Sequence, residues 1–92
     1  MIKSFRSEET QRLFEDRRAP RFEAFARIAK RKLYLLDAAK GLQDMTSSGN
    51  RLEKLRGDRA GQYSIRVNDQ WRICFEWVAN KARNVEITDY HT

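Results

Sequence analysis

The 92-residue chain predicts an α+β domain of order β-α-α-β-β-β, with two N-terminal helices packed on one face of a mainly antiparallel sheet. A helical apolar period runs through Phe22, Phe25, Ala29, Leu33 and Leu36. Three later segments, QYSIRV, WRICFEWV and NVEITDY, alternate apolar and polar residues with period two. Hydrophobic residues make up 40% of the chain, which suffices for one small core and not for two, so residues 1–92 are read as a single domain.

Met1 to Phe5 is expected to form a short strand, and Ser7 to cap a first helix whose dipole Glu8 and Glu9 favour. That helix ends near DRRAP. Pro20 suits the first turn of the next helix, which runs to about Lys40. Gly41 followed by Leu42 reads as a left-handed cap whose trailing apolar residue folds back on the helix. QDMTSSGNR and LRGDRAG, with Gly57 and Gly61, carry turn chemistry and no apolar period. Residues 43–61 are therefore expected to be a long connection with room for one turn of helix, and connections of this length in compact domains are often functional.

The hairpin between QYSIRV and WRICFEWV has two candidate registers. A two-residue loop at Asn68 and Asp69 places Ile65 opposite Arg72 and mixes faces. A three-residue loop, Asn68 to Gln70, pairs Val67 with Trp71 and Ile65 with Ile73, and register follows the apolar pattern. Tyr63, Ile65, Val67, Trp71, Ile73, Phe75, Trp77, Val85 and Ile87 then lie under the helices. Ser64, Arg66, Arg72, Cys74, Glu86, Thr88 and Tyr90 share the other, open face.

This register sets Arg66 opposite Arg72. Like charges directly opposed across strands repel, so the arrangement suits an anion bound between them. Solvated arginines paired with Glu76 or Glu86 are the plainer reading, but surface ion pairs contribute only roughly 0–1 kcal/mol and do not require arginine. Arg56 and Arg59 arrive from the long connection, and the guanidinium fork matches phosphate oxygens.

Nineteen Lys plus Arg against thirteen Asp plus Glu give a net charge of +6, a field that attracts nucleic acid or an acidic protein. Cys74 is the only cysteine, so no intrachain disulfide forms and a cytoplasmic setting is expected. The N-terminal stretch lacks the apolar run of a signal peptide or membrane span. One histidine and one cysteine do not make a zinc site, and no glycine-rich nucleotide loop is present, so no metal or cofactor is expected. Cys74 as nucleophile with His91 as base is formally available, although a lone strand thiol is usually a small filler.

What survives is phosphodiester chemistry on RNA without metal, in which a ribose 2′-hydroxyl attacks the neighbouring phosphate. It needs a proton acceptor, a proton donor and fixed positive charge for the transition state. Arg72 and Arg66 supply charge. Asp89, Tyr90 and His91 are candidate proton carriers or substrate positioners, His91 having the ordinary pKa nearest neutrality. A frayed terminus is the competing reading of DYHT.

The stretch NRLEKLRGDRAGQYSIRVNDQWRICFEW, followed by VEITDYH, resembles the HigB-type toxins of the RelE/ParE superfamily, also called plasmid-maintenance killer proteins. G-D-R-x-G, S-I-R-V-N-x-Q-W-R-I-C-F and D-Y-H occur in the family's order and spacing, and MIKSF with the two-helix segment is compatible. The resemblance implies a small RelE-like fold and a ribosome-dependent endoribonuclease that cuts mRNA in the decoding A site of the small subunit. It also implies a HigA-type helix-turn-helix antitoxin as partner, through which alone the chain meets operator DNA.

By the same resemblance Arg72 stabilises the scissile phosphate, Arg56 assists, and Asp89, Tyr90 and His91 complete the site; Arg56, with the other basic residues of the connection, Arg59 and Lys54, is expected to bind the RNA. Arg66 falls where related RelE toxins carry a catalytic lysine. HigB-type members can carry a histidine near Glu53 or Lys54, whereas here His91 is the only one. Arginine, with a pKa above ~12, shuttles protons poorly, so Arg56 and Arg66 act through charge and mild toxicity is expected. Two other classes stay open: a non-catalytic module that binds RNA or protein on the same fold, and a gyrase inhibitor of the ParE branch.

Overall fold

Ser7 opens the first helix as its chemistry dictates: its hydroxyl accepts the Thr10 amide at 3.2 Å, and Glu8 and Glu9 occupy the first turn. The computed structural model describes residues 1–89. Helix α1 spans Glu8–Phe14 and is terminated where Asp16 adopts a left-handed φ of 62°. Pro20 then starts a 3-10 turn, Pro20–Phe25, that leads directly into α2, Ala26–Ala38. The predicted apolar stripe is the buried one: Phe22, Ala29, Leu33 and Leu36 are fully enclosed, and Phe25 packs against them.

The end of α2 differs from expectation. Gly41 is not a left-handed cap; it is extended (φ −160°, ψ 164°), and the chain has already left the helix at Ala39 (φ −66°, ψ 136°). The Asp44 carboxylate accepts the Lys40 amide at 2.8 Å, taking the donor that another helical residue would have used. The following 3-10 turn, Leu42–Met45, drives Met45 fully into the core, so side-chain burial rather than glycine sets the stop.

Four antiparallel strands lie in the order β1 (Glu53–Lys54), β2 (Gln62–Arg66), β3 (Arg72–Val78), β4 (Lys81–Thr88). The strand expected at Met1–Phe5 is present only as two isolated parallel bridges, Ile2 to Ala82 and Phe5 to Val85, which cover the outer edge of β4. The connection over 43–61 contains more than one helical turn: 3-10 turns at Leu42–Met45, Ser48–Asn50 and Gly57–Arg59, and β1 itself. A two-residue strand is too short to show alternation in sequence.

Strand β4 starts earlier than NVEITDY because Ala79 and Asn80, both at positive φ (52° and 62°), make a two-residue hairpin loop. Asn84, also at positive φ (52°), falls at a register irregularity between the pairs Cys74–Glu86 and Glu76–Arg83. The extra residue lets Ala82 and Val85 both reach the core. The β2–β3 register is the one the apolar pattern selects, with Ile65 opposite Ile73 and the Val67 amide donating to the Trp71 carbonyl at 3.0 Å.

One buried cation ties these parts together. Lys32, only 5% exposed, sends its ammonium from α2 to the carbonyls of Gly49, at 3.0 Å, and Arg66. Burial, with Arg31 and Arg66 nearby, lowers its pKa from 10.5, yet the two carbonyls hold the long connection and the end of β2 on the same helix. Lys32→Met is expected to cost about 1–3 kcal/mol in urea unfolding, because it strands two acceptors.

Candidate functional site

The β2–β3 hairpin is built to present two arginines together. Arg66 and Arg72 are direct cross-strand partners, which puts their side chains on the face away from the helices. The three-residue loop between the strands is an Asx turn: the Asn68 side-chain oxygen accepts the amides of Gln70 at 2.9 Å and Trp71 at 2.8 Å. Arg66 pairs with Asp69 in that loop, while Arg72 donates to the carbonyls of Asn68 and, at 3.1 Å, Trp71.

Each guanidinium is thus steadied by one or two partners and retains further N–H donors. Asp69 is 99% exposed in its side chain and Arg66 29%, so the loop carboxylate is a counterion that an incoming phosphate can displace. Neither arginine pairs with Glu76 or Glu86 among the described residues. Glu86 accepts from Arg59 at 3.0 Å and lies 3.9 Å from Arg6, while Glu76 accepts from Asn84 at 3.0 Å.

The rest of the face is not open. Ser64 (1% exposed) and Cys74 (0%) share it with the arginines as the parity predicts, but both are buried. Arg59 reaches from the Gly57–Arg59 turn across the sheet, donating to Gln62 on β2 at 3.1 Å and Glu86 on β4 at 3.0 Å. Leu55, 6% exposed, closes the same side, with its amide on the Gln62 carbonyl. The connection therefore roofs the middle of the sheet and leaves the arginine end accessible. Tertiary covering of this kind has no local sequence signal.

Burial pushes the Cys74 thiol from 9.0 up to about 11, with nearby Arg59 offsetting part of the shift. The thiol is protonated in folded and unfolded chains alike below 9.0; between 9.0 and about 11 only the unfolded chain ionises, so stability falls as pH rises through that window. Native Cys74 is expected to react with a thiol reagent at pH 8 roughly 100-fold more slowly than the unfolded chain, as followed by absorbance with and without denaturant.

The sequence-selected residues separate into groups. Arg66, Arg72 and Asp89 gather at one end of the sheet: Thr88 pairs with Arg72, and the carboxylate of the next residue, Asp89, accepts from Gln70 of the hairpin loop at 2.9 Å. Arg56 is exposed at the start of the Gly57–Arg59 turn and has no ion pair among the described residues. Arg59 serves as a clamp on Glu86. Lys54 stands opposite Tyr63, which places it on the helix-bearing side of β1 rather than beside the arginines. Tyr90 and His91 lie outside the described residues. Sequence reading made Asn68 to Gln70 the hairpin loop but gave these residues no part in the site, where Asp69 pairs with Arg66 and Gln70 donates to Asp89.

Residues 3–91 match the family described as RelE-like toxin of type II toxin-antitoxin system HigB. Among curated proteins, Toxin HigB-1 of Vibrio cholerae serotype O1 is 37% identical over 87 residues, covering 91% of this chain and 92% of that one. Endoribonuclease HigB of Proteus vulgaris is 34% identical over 93 residues, covering 99% and 100%. Two solved YoeB-YefM complexes from Staphylococcus aureus, the second a heterotetrameric toxin-antitoxin assembly, share the fold at 17% identity, with TM-scores of 0.61 and 0.63 over 100% of this chain and 99% of theirs.

Proposed function

Since this chain belongs to the HigB-type, RelE-like toxins of type II toxin-antitoxin systems, we propose that it is a metal-independent endoribonuclease that cuts mRNA in the ribosomal A site and so halts translation. The observation that carries this reading is the direct cross-strand pairing of Arg66 with Arg72 at the accessible end of the sheet, beside Asp89. The scissile phosphate sits on the two guanidinium groups, which meet the charge that builds as the 2′-hydroxyl attacks. Asp89, Tyr90 and His91 carry or steer the protons, and Arg56 holds the adjoining RNA backbone.

The matched family is one half of a toxin-antitoxin pair, so an antitoxin is a partner of this chain. In the proposed setting it is of HigA type, with a helix-turn-helix fold. The small ribosomal subunit and mRNA are the other partners, the whole chain acts as one domain in the cytoplasm, and operator DNA is met only through the antitoxin. Among the described residues no helix is long and apolar enough to cross a membrane.

Pulse labelling after induction in a bacterial host tests the target. Amino-acid incorporation is expected to stop first, with thymidine incorporation and plasmid supercoiling unchanged at that time. An early stop of DNA synthesis with relaxed plasmid would turn the reading to gyrase.

A further inference from the structure

Helix α2 buries Ala29, Lys32, Leu33 and Leu36 against the sheet, and at helical spacing Arg27, Arg31, Tyr34 and Leu35 fall on its opposite side. That outer side is not the polar surface an amphipathic helix ordinarily gives to water. Ile28, Tyr34 and Leu35 are 41–44% exposed and make up three of the five large apolar side chains exposed among the described residues. Ala26, Arg27, Lys30, Arg31, Tyr34 and Leu35 line a continuous, predominantly apolar groove along it.

One wall of the groove is fixed by α1. The Tyr34 ring meets Phe14 edge-on, with centroids 5.3 Å apart, and its hydroxyl donates to the Phe14 carbonyl at 3.4 Å. Lys30 is already paired with Asp16. Arg27 and Arg31, four residues apart, have no acidic partner among the described residues. At helical spacing Arg27 and Arg31 fall between Tyr34 and Leu35, so this side alternates apolar side chains with unneutralised guanidinium groups and is complementary to a helix that carries apolar residues and carboxylates spaced one turn apart.

We propose that this groove docks an acidic amphipathic helix of the antitoxin, its apolar residues on Tyr34 and Leu35 and on Ile28 beside the groove, and its carboxylates on Arg27 and Arg31. The inference rests on the toxin-antitoxin reading for the identity of the occupant. RNA is the weaker fit, because a phosphate backbone has no use for exposed leucine and isoleucine, whereas a protein helix removes them from water. The sheet lies between this groove and Arg66 and Arg72, so the two surfaces can be altered separately.

The test uses the full-length chain, its purified partner antitoxin, and three variants, Leu35→Glu, Leu35→Ala and Arg31→Glu, measured by titration calorimetry and by cleavage of a translated message. Leu35→Glu is expected to weaken antitoxin binding roughly 30-fold or more, as a central apolar contact does. Leu35→Ala gives a smaller loss without adding charge, and Arg31→Glu a loss of roughly 10-fold that shrinks at high salt. All three keep the wild-type melting temperature and wild-type cleavage.

Wild-type antitoxin affinity in the three variants overturns the proposal. So does normal antitoxin binding combined with lost activity on ribosomes, which would assign the groove to ribosomal RNA. If the wild-type chain cuts no message while the variants lose antitoxin, the docking site stands and the ribonuclease reading falls.

Discussion

Arg72→Ala is expected to lower cleavage of a translated message by roughly 10²–10³-fold, the usual cost of removing one charge donor from a transition state. The loss should fall on kcat, because Arg56 and Arg66 still attract the substrate before charge builds at the phosphate. Folding is expected to survive. The substitution removes only the hydrogen bonds that Arg72 donates to the Asn68 and Trp71 carbonyls, in a surface loop where water can replace them, at a cost of about 0.5–1.5 kcal/mol. The Asx turn at Asn68 keeps the loop shape. Arg72→Lys should recover little, since a lysine keeps the charge and loses the fork. Growth arrest on induction and antitoxin binding in vitro give the paired readout: the first is lost and the second is retained.

Phe22→Ala has the opposite signature, a large loss of stability from a residue that touches no substrate. Phe22 is fully buried, with its ring centroid 5.8 Å from Phe25 and 5.7 Å from Trp71, and the Arg21 guanidinium stands 5.5 Å from the Phe22 ring. Truncating a buried phenylalanine costs about 3–5 kcal/mol, out of a total of roughly 5–15 kcal/mol for a domain of this kind. At about 4–8 °C per kcal/mol for a chain of this length, the melting temperature should fall by roughly 12 °C or more. The same cluster seats Trp71, whose carbonyl accepts from Val67 and Arg72, so activity should drop at temperatures well below the new midpoint. Circular dichroism melts and Trp fluorescence measure the first effect, and cleavage at graded temperature the second.

Where side chains announce their own burial, the sequence was readable. The apolar stripe from Phe22 to Leu36, the Ser7 cap and the β2–β3 register each rest on spacing or on a local hydrogen bond, and each is present. The pairing of Arg66 with Arg72 followed from that register alone. Features decided by distant parts of the chain were hidden. Gly41 resembles a helix cap, yet Asp44 and the burial of Met45 end α2 earlier. Strand β1 has two residues and owes its existence to β2. The shift at Asn84 depends on a positive φ that asparagine tolerates but does not require.

The site was legible to the same degree. Arg66 and Arg72 come together because they lie opposite one another on paired strands, positions that alternation can locate, whereas Asp89 reaches that end of the sheet through Gln70 of the hairpin loop, a contact that alternation does not show. Arg59 and Lys54 come from the irregular connection, where charge alone does not reveal direction. Arg59 turns inward to Glu86, and Lys54 lies on the other side of the sheet. The burial of Ser64 and Cys74 beneath that connection escaped for the same reason.

Primer extension on a defined message, with purified chain in a reconstituted translation system and on the same message without ribosomes, addresses the central claim most directly. The account predicts new 5′ ends within codons only when ribosomes and wild-type chain are both present, and none with Arg72→Ala. Intact message in a system whose translation has nonetheless stopped, or equal cutting by Arg72→Ala, would contradict it.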